Sequence, residues 1–420
     1  MGLFQKRKTA IERSQIEATH EIVCVYCFRN FDHNEVVFRA AQIIDTEGYR
    51  AKPDKRLDAY HARFNMGSMG AIAPVLNPTK FSEKNKGYLR GILTTLYDAH
   101  NNPTSERLCP YCHNNLLPNA GFLPSTIISL VGAGQAGKSV YLTSLIHTLK
   151  SVTSLNFEMF CTPITNEIGR KFRTRYEDPL IENGYLLDPT QKEIQQEPFV
   201  FTFSFADGSK PEINIAFFDV AGEGMTDNAY MDIYAAHIRN SSGVLFLVDP
   251  LQFRAIDHRI QFLNNLNIDL SAKIDPLETL GSLVENYIYK QTNGISNIPT
   301  AVVLTKTDLL IALGHHGECI HPRSNLFARY IHRSYFNLSQ SDAVNYEVDA
   351  LLHMVDPNFR NALKRRFANL GFFGVSAMGA PPDLIHRKTA GITPIRIDEP
   401  FLWLLYKLGY IEGRFDEVRA

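Results

Sequence analysis

The sequence predicts an α/β protein with a mostly parallel sheet and flanking helices, preceded by a cysteine-rich N-terminal region. Apolar, β-rich runs recur from residue 126 onward, at 126–131, 213–218, 243–248 and 300–304, and amphipathic stretches separate them. Strands that alternate with helices predict a parallel sheet. The first run ends in a glycine-rich loop, and four of the six cysteines stand in two C-x-x-C pairs near the N-terminus.

The glycine-rich loop, 132–139, matches the phosphate-binding pattern G-x-x-x-x-G-K-[ST] between a predicted strand and a predicted helix. Glycines let backbone N–H groups turn toward anionic oxygens at a helix N-terminus. We expect Lys138 to reach the β- and γ-phosphates of a nucleoside triphosphate and Ser139 to ligate Mg²⁺. A glycine-rich loop with a surface lysine is the alternative interpretation. The predicted nucleotide-binding residues here are Gly132, Ala133, Gly134, Gln135, Ala136, Gly137, Lys138, Ser139 and Val140.

A second segment expected to contact the phosphates is D-V-A-G-E at 219–223, which follows the apolar run 213–218. We expect Asp219 to hold Mg²⁺, directly or through water, and Gly222 to offer its N–H to the γ-phosphate. The D-x-x-G pattern is common by chance. Its value here comes from its place after a strand downstream of the glycine-rich loop.

Two further segments favour guanine as the base. Thr305, Lys306 and Asp308 follow the run 300–304 and match [NT]-K-x-D. A carboxylate at Asp308 can accept hydrogen bonds from the ring N–H and the exocyclic amine of guanine, a donor pair that adenine lacks, and such a contact discriminates by about 1–3 kcal/mol. Ser376 and Ala377 follow the apolar segment 371–374 and resemble the S-A motif whose backbone N–H meets the guanine carbonyl oxygen.

The order of the four segments is what gives them weight. Each stands at the C-terminal end of an apolar run, where ligands bind to an open α/β sheet. GTP or GDP is therefore the expected nucleotide, and ATP is the main alternative. A solvated lysine and aspartate at a strand end is the structural alternative for the [NT]-K-x-D match.

Composition sets limits on the other functions. The chain has 420 residues, is 45% hydrophobic and carries a formal net charge of −1. This length allows two or three domains with a large core, and the balanced charge does not favour nucleic-acid binding. The basic cluster near the N-terminus has no apolar run after it, so no secretory signal is predicted. No apolar stretch is long enough to span a bilayer, and we expect a soluble cytoplasmic protein.

The two cysteine pairs predict a zinc site. Cys24 and Cys27 form one C-x-x-C, and Cys109 and Cys112 form the other. Two such hairpins are a common way to arrange four thiolates tetrahedrally around Zn²⁺. The intervening stretch, 28–108, is long for this pattern, and two redox pairs or buried thiols are the alternatives. His113 follows the second pair, and we expect it to pack nearby because four cysteines already complete the site.

Taken together, these motifs resemble the bacterial zinc-ribbon-bearing TRAFAC-type GTPases, which include the double-GTPase families predicted in conflict or defence systems. The resemblance lies in the first C-x-x-C, in C-P-Y-C-H at 109–113, and in V-G-A-G-Q-A-G-K-S at 131–139 with Tyr141 and Leu142 after it. It implies a Ras-like P-loop NTPase fold and Mg²⁺–GTP. It also implies protein partners, either effectors or co-encoded components of a defence system, that sense the nucleotide state.

The chain departs from the small-GTPase pattern at two positions that bear on hydrolysis. Glu223 stands where many Ras-like proteins carry a water-orienting glutamine, so we expect hydrolysis that is slow or partner-stimulated. The stretch before Asp219 has no obvious switch threonine. We choose Thr190 for this role and as a Mg²⁺ ligand, with Thr162, Thr165 and Thr174 as alternatives. The predicted catalytic residues are Lys138, Thr190 and Glu223.

The predicted domains are a zinc-ribbon region with an inserted subdomain, 1–120, and a Ras-like GTPase domain, 125–420. The second has helical insertions at about 251–293 and 311–370. The basic stretch 359–367 is expected to be a solvated helix face, with a docking patch as the alternative. The favoured function is a GTP-driven molecular switch. A zinc-ribbon adaptor with a structural nucleotide and negligible turnover, and a P-loop ATPase, are the alternatives.

Overall fold

The structure is a computed structural model. It describes residues 21–63, 66–188, 198–205, 212–219, 238–256, 274–289, 294–315, 320–321, 323–383, 385–389 and 391–416. The chain divides into two compact units. One unit comprises Met1–Thr126 and Glu193–Ala216, and the other comprises Ile127–Lys192 and Phe217–Ala420. The predicted domain boundaries stay predictions.

The described residues of the N-terminal part form short antiparallel strands, one α-helix and three short 3₁₀ helices. The strands pair as β1-β2, β10-β3-β6, β4-β5 and β7-β8-β9. Phe38, Ile92 and Leu108 are fully buried among them. The elements are β1 (Glu21–Val23), β2 (Asn30–Asp32), β3 (Val37–Arg39), β4 (Lys52–Pro53), α1 (Lys55–Ala62), β5 (Ala71–Ile72), β6 (Val75–Leu76), β7 (Lys86–Leu89), β8 (Ile92–Tyr97), β9 (Pro103–Thr104) and β10 (Arg107–Leu108).

The remaining strands build a large central sheet and one small two-stranded pair. The sheet has seven strands in the order β12-β13-β14-β11-β15-β16-β18, and β17 pairs with β19. The strand β11, which leads into the glycine-rich loop, lies inside the sheet. The strands are β11 (Ser125–Val131), β12 (Met159–Pro163), β13 (Phe199–Phe205), β14 (Ile213–Asp219), β15 (Gly243–Val248), β16 (Thr300–Leu304), β17 (Phe336–Asn337), β18 (Leu370–Gly374) and β19 (Gly413–Arg414).

The strands next to the predicted nucleotide motifs are parallel. β11 pairs with β15, β15 with β16, and β16 with β18, all in parallel register. Every residue of β15 and β16 is buried, as expected for parallel strands that are covered on both faces. The predicted α/β fold with a mostly parallel sheet is therefore confirmed. The carboxyl ends of these strands meet at one edge of the sheet.

Helices cover the sheet and follow the predicted amphipathic stretches. The α-helices are α2 (Lys138–Thr148), α3 (Ser154–Phe157), α4 (Asn166–Phe172), α5 (Pro276–Leu283), α6 (Thr307–His315), α7 (Leu338–Val355), α8 (Pro357–Arg366) and α9 (Glu399–Lys407). In the part of the chain that the structure describes, the π-helical segments Leu149–Thr153, Arg173–Glu182 and Val284–Ile288 continue α2, α4 and α5. Among the described residues, no helix combines the length and apolarity needed to cross a membrane.

Helix α9 packs against the sheet. The ring centroids of Trp403 and Phe373 are 5.5 Å apart, and those of Phe401 and Phe217 are 5.7 Å apart. Phe401 is fully buried, and Trp403 is 7% exposed. Helix α9 therefore covers part of the sheet, and Trp403 lies in the core.

The cations of α8 make local contacts. Arg360 and Lys364 both bond Asp349 on α7, at 2.7 and 2.9 Å. Arg366 donates to the carbonyl oxygen of Gly294 at 3.2 Å. The charge of Arg360 and Lys364 is thus partly balanced within the fold, and the assignment of this stretch as a solvated helix face stays a prediction.

Candidate functional site

The glycine-rich loop needs its glycines for two separate reasons. Gly137 is the N-cap of α2 with φ +81°, a left-handed conformation that side chains rarely adopt. At Gly132 the reason is space, because a Cβ atom there would lie 2.5 Å from the carbonyl oxygen of Leu247. Glycine is therefore required at position 137 by the backbone conformation where the helix begins, and at position 132 by the close approach of the neighbouring strand.

Lys138 is held against this loop. The residue is 6% exposed, and Nζ donates to the carbonyl oxygens of Gly132 and Ala133 at 2.9 and 3.0 Å. The ammonium group thus lies at the N-terminus of α2, where the helix dipole is already positive. A buried cation at this end of a helix is suited to an anion, and backbone N–H groups at the same end add donors for it.

The other residues of the loop lie just before α2 or in its first turn. Ser139 lies in the first turn of α2 and is half-buried, and its carbonyl oxygen accepts from Thr143 Oγ1 at 2.7 Å. Gln135 is exposed with φ +62°, and the carbonyl oxygen of Gly134 accepts from the side chain of Gln252 at 3.2 Å. Ala133 and Ala136 are buried, and Val140 is half-buried.

The phosphate-side residues from later in the chain are described only in part. Asp219 ends β14, as predicted for the residue after the run 213–218, and nothing further is described of its side chain. Gly222, Glu223 and Thr190 lie outside the described residues. The residues just before Thr190 are described, and they contact the segment after the S-A motif. The N–H of Leu186 donates to the carbonyl oxygen of Arg387 at 2.9 Å.

The first of the two predicted guanine motifs follows β16. The N–H of Thr305 donates to the carbonyl oxygen of Val248 at 2.9 Å, and Lys306 has φ +52°. Helix α6 then begins at Thr307, so Asp308 lies in its first turn. The change of direction at Lys306 is what ends the strand and begins the helix.

The second predicted guanine motif contacts the first. Ser376 Oγ donates to Asp308 Oδ1 at 2.6 Å and accepts from the N–H of Gly379 at 2.8 Å. Burial raises the pKa of Asp308 above its usual value of 3.8, and the bond from Ser376 acts in the opposite direction. Ala377 follows and is half-buried. Two motifs 68 residues apart in sequence are thus in direct contact at the carboxyl edge of the sheet.

Asp249 and Gln252 belong to the same edge, although the motifs did not indicate them. Asp249 is 4% exposed, and its Oδ2 accepts from Lys306 Nζ at 2.6 Å. Asp249 also caps the turn that follows β15, since Oδ1 accepts from the N–H of Leu251 at 2.9 Å. The available signal was an acidic residue directly after a buried strand, the same placement that singled out Asp219.

The four paired cysteines form one cluster in the N-terminal unit. The sulfurs of Cys24 and Cys112 lie 3.7 Å apart, and those of Cys27 and Cys109 lie 3.6 Å apart. All four sulfurs lie within 4.8 Å of one another. A tetrahedral site with zinc–sulfur bonds of about 2.3 Å places its sulfurs about 3.8 Å apart. The sulfur positions therefore fit a zinc ion.

Both C-x-x-C pairs have the same backbone turn, which explains why the sulfurs converge. In each turn, the N–H two residues after the first cysteine donates to its sulfur, from Tyr26 and from Tyr111, at 3.4 Å. The residue after each pair, Phe28 or His113, has a positive φ and donates its N–H to the carbonyl oxygen of the first cysteine. N–H donors to sulfur favour the thiolate form that metal binding requires.

His113 lies beside the cluster, and its contact is with a carboxylate. Its Nδ1 lies 2.7 Å from Oδ1 of Asp54, whose other oxygen accepts from Arg39 at 2.8 Å. Asp54 also caps α1 by accepting from the N–H groups of Arg56 and Leu57. This network ties the second turn to α1.

Comparison with known proteins agrees with the motifs. Residues 126–362, more than half of the chain, match the family Double-GTPase 2. A relative described as putative ESX-1 scaffolding and assembly protein SaeC, from Mycolicibacterium smegmatis, is 27% identical over 349 residues, which cover 75% of this chain and 86% of that protein.

A solved structure, the Arl6 BBS3 small GTPase from Trypanosoma brucei with bound GppNp, is 11% identical and covers 69% of this chain and 99% of that chain. Its TM-score is 0.28, and a likeness at this level carries no argument. The family match spans the glycine-rich loop and Asp308 and ends before Ser376. The chain belongs to the Double-GTPase 2 family.

Proposed function

We propose that this protein binds GTP and GDP at the carboxyl edge of its central sheet and acts as a molecular switch. The bond between Asp308 and Ser376 carries this proposal, because it joins the two segments that would read guanine. Membership of a double-GTPase family supports a guanine-nucleotide site in the chain. The assignment of individual residues is our inference from their geometry.

Asp308 would recognise the base. Its carboxylate would accept the ring N–H and the exocyclic amine of guanine, and Ser376 would fix the orientation of the carboxylate through Oδ1. An adenine base lacks this donor pair and would leave the half-buried carboxylate of Asp308 with the hydrogen bond from Ser376 but without donors from the base. A missing hydrogen bond of this kind costs about 1–3 kcal/mol.

The glycine-rich loop would hold the phosphates. The ammonium group of Lys138 would face the β- and γ-phosphates, and the N–H groups at the start of α2 would add donors. Ser139 and Asp219 would ligate Mg²⁺, with Thr190 as a further candidate. When bound, Mg²⁺ neutralises charge on the phosphate oxygens.

We further propose that hydrolysis is slow or partner-stimulated. Glu223 stands at the position after D-x-x-G where a neutral amide would orient water. A carboxylate there accepts hydrogen bonds but donates none when it is ionised. The γ-phosphate would order the segments around Thr190 and Gly222, and a partner protein would sense that order.

The description of one relative suggests what kind of partner this chain has. The relative is described as a putative ESX-1 scaffolding and assembly protein, so we propose that this chain also acts on an assembly of proteins. A role in bacterial defence and a cytoplasmic location stay predictions. The cysteine cluster fits Zn²⁺. We propose that it holds a zinc-ribbon region that supports contacts with partner proteins.

The base assignment is tested with the variant Asp308→Asn. Competition of GTP, GDP and ATP against a fluorescent guanine nucleotide would be measured for the wild type, for Asp308→Asn and for Asp349→Asn. Asp349 is a matched control because its carboxylate also pairs with basic side chains, away from the guanine motifs. We expect only Asp308→Asn to lose preference for guanine. An unchanged GTP-to-ATP ratio in that variant would contradict the assignment.

Hydrolysis needs a separate experiment. Single-turnover conversion of bound GTP to GDP would be followed for the wild type and for Glu223→Gln. We expect slow turnover in the wild type and an altered rate in the variant. Tight GTP binding with no turnover, alone or with candidate partners, would support an adaptor with a structural nucleotide instead.

A further inference from the structure

The turn formed by residues 249–252, directly after β15, has contacts on two sides. Asp249 caps it through the N–H of Leu251, and Pro250 begins its short 3₁₀ helix, Pro250–Gln252. The capping bond and the fixed φ of proline define the shape of the turn locally. Asp249 is 4% exposed and Gln252 is 9% exposed, so both ends are held inside the protein.

Each end of this turn contacts a different nucleotide motif. At one end, Asp249 Oδ2 accepts from Lys306 Nζ at 2.6 Å, in the predicted guanine motif. At the other end, Gln252 Nε2 donates to the carbonyl oxygen of Gly134 at 3.2 Å, in the glycine-rich loop. The strand that leads into the turn touches the loop as well, because the carbonyl oxygen of Leu247 leaves no room for a side chain at Gly132.

We infer that residues 249–252 are a positioning element that fixes the phosphate-binding loop and the base-reading motif relative to each other. Asp249 acts through Lys306, and Gln252 acts through Gly134. The inference rests on the proposed function, since it assumes that both motifs bind the same nucleotide. Neither residue belongs to the four motifs that define the predicted site.

The Asp249 end restricts a flexible side chain. Lys306 has φ +52° and a long stem, and a free lysine side chain loses about 2 kcal/mol of entropy when it is ordered. A buried carboxylate orders that stem before the nucleotide arrives and places it beside Asp308. A charge-assisted bond of this kind is roughly twice as strong as a neutral one.

The Gln252 end controls the direction of a carbonyl group. A phosphate-binding loop must direct its N–H groups toward the anion and its carbonyl oxygens away from it, because carbonyl oxygens repel phosphate. The carbonyl oxygens of Gly132 and Ala133 accept from Lys138, and that of Gly134 accepts from Gln252. Gln252 therefore fixes the direction of the Gly134 carbonyl group, and Lys138 fixes those of Gly132 and Ala133.

The inference is tested with Asp249→Asn, Gln252→Met and their combination, with Asp349→Asn as the control. Asparagine keeps an oxygen that caps the turn but loses the charge, and methionine keeps the length of glutamine but cannot donate. We expect each single variant to lower GDP affinity about ten-fold or more. Asp249→Asn removes a charge-assisted hydrogen bond to Lys306, and Gln252→Met leaves the buried carbonyl oxygen of Gly134 without its donor. The melting temperature of the nucleotide-free variants should stay near that of the control.

Two double-variant cycles test the positioning role itself. In a Lys306→Met background, Asp249→Asn should lower GDP affinity no further, because Asp249 acts through that lysine. Asp249→Asn and Gln252→Met together should lose less than the sum of their separate free-energy changes, because loss of either contact already frees the glycine-rich loop and the predicted guanine motif from each other. A full additional loss in the lysine background, or additive losses in the second cycle, would overturn the inference.

Failure of the inference can be told apart from failure of the proposed function. If the wild type does not prefer guanine nucleotides, the proposed function is wrong and the inference falls with it. If the wild type prefers them but Asp249→Asn and Gln252→Met bind GDP like Asp349→Asn, the site stands and the positioning role is wrong.

Discussion

Removal of one cysteine from the N-terminal cluster should remove the metal and destabilise the region that it holds together. The perturbation is Cys24→Ser. Cys24 is 1% exposed, its sulfur lies 3.7 Å from that of Cys112, and it accepts from the N–H of Tyr26. A serine at this buried position leaves three thiolates and loses one of the four bonds of a closed tetrahedral site.

The expected magnitude is large compared with the stability of a domain. Structural zinc contributes about 10–16 kcal/mol of apparent binding free energy in zinc-finger peptides, whereas whole domains have a net stability of about 5–15 kcal/mol. The strands around the cluster are only two to six residues long in this structure. Such short strands form few ladder hydrogen bonds, and the four cysteines lie between them, so loss of the metal should destabilise this region strongly even though its apolar side chains are buried.

The assay combines metal content with thermal unfolding of the full-length chain. We expect one zinc per chain in the wild type, none in Cys24→Ser, and an earlier unfolding transition in the variant. Cys161→Ser is the matched control. Cys161 is also buried, with a pKa raised to about 12 by burial, but it stands apart from the cluster. A wild type that carries no zinc, or a Cys24→Ser variant that melts like Cys161→Ser, would refute the reasoning.

Three further predictions concern the nucleotide site. Lys138→Ala should abolish tight GTP binding, since it removes a buried cation from the phosphate loop; retained submicromolar affinity in a titration would contradict this. Ser376→Ala should lower GDP affinity by about 1–3 kcal/mol, or about five- to 150-fold, because Asp308 and Gly379 both lose a partner. GDP affinity should also fall on acidification at a pH above 3.8, since burial raises the pKa of Asp308 and its ionised form accepts the guanine donors. GDP affinity would be titrated at several pH values for the wild type and for Asp308→Asn. An equal loss of affinity on acidification in both proteins would contradict the assignment of this pH dependence to the Asp308 carboxylate.

The strands that carry the nucleotide motifs could be predicted closely from the sequence. The runs 243–248 and 300–304 have the same bounds as β15 and β16, and 126–131 differs from β11 by one residue. These strands are buried on both faces, so their sequences are continuous apolar runs that stand out from the surrounding polar residues. The glycine-rich loop was equally visible, because its function requires particular residues at fixed spacing.

The contacts that join the motifs could not be predicted in the same way. Asp249 contacts Lys306 across 57 residues, and Gln252 contacts Gly134 across 118. Such contacts depend on how neighbouring strands align in the sheet, and the local pattern around Asp249 indicates a cap, which it also is. The short strands between the two cysteine pairs were missed for a different reason. Strands of two or three residues have too little periodicity to be recognised.

The measurement that tests the central claim most directly is a competition titration of the wild-type protein. The purified full-length chain, with Mg²⁺ and a fluorescent guanine nucleotide, would be challenged with unlabelled GTP, GDP and ATP. We predict displacement by GTP and GDP at low concentration and little displacement by ATP. Equal displacement by ATP would mean that Asp308 and Ser376 do not read the base, and would contradict the account of a guanine-nucleotide switch.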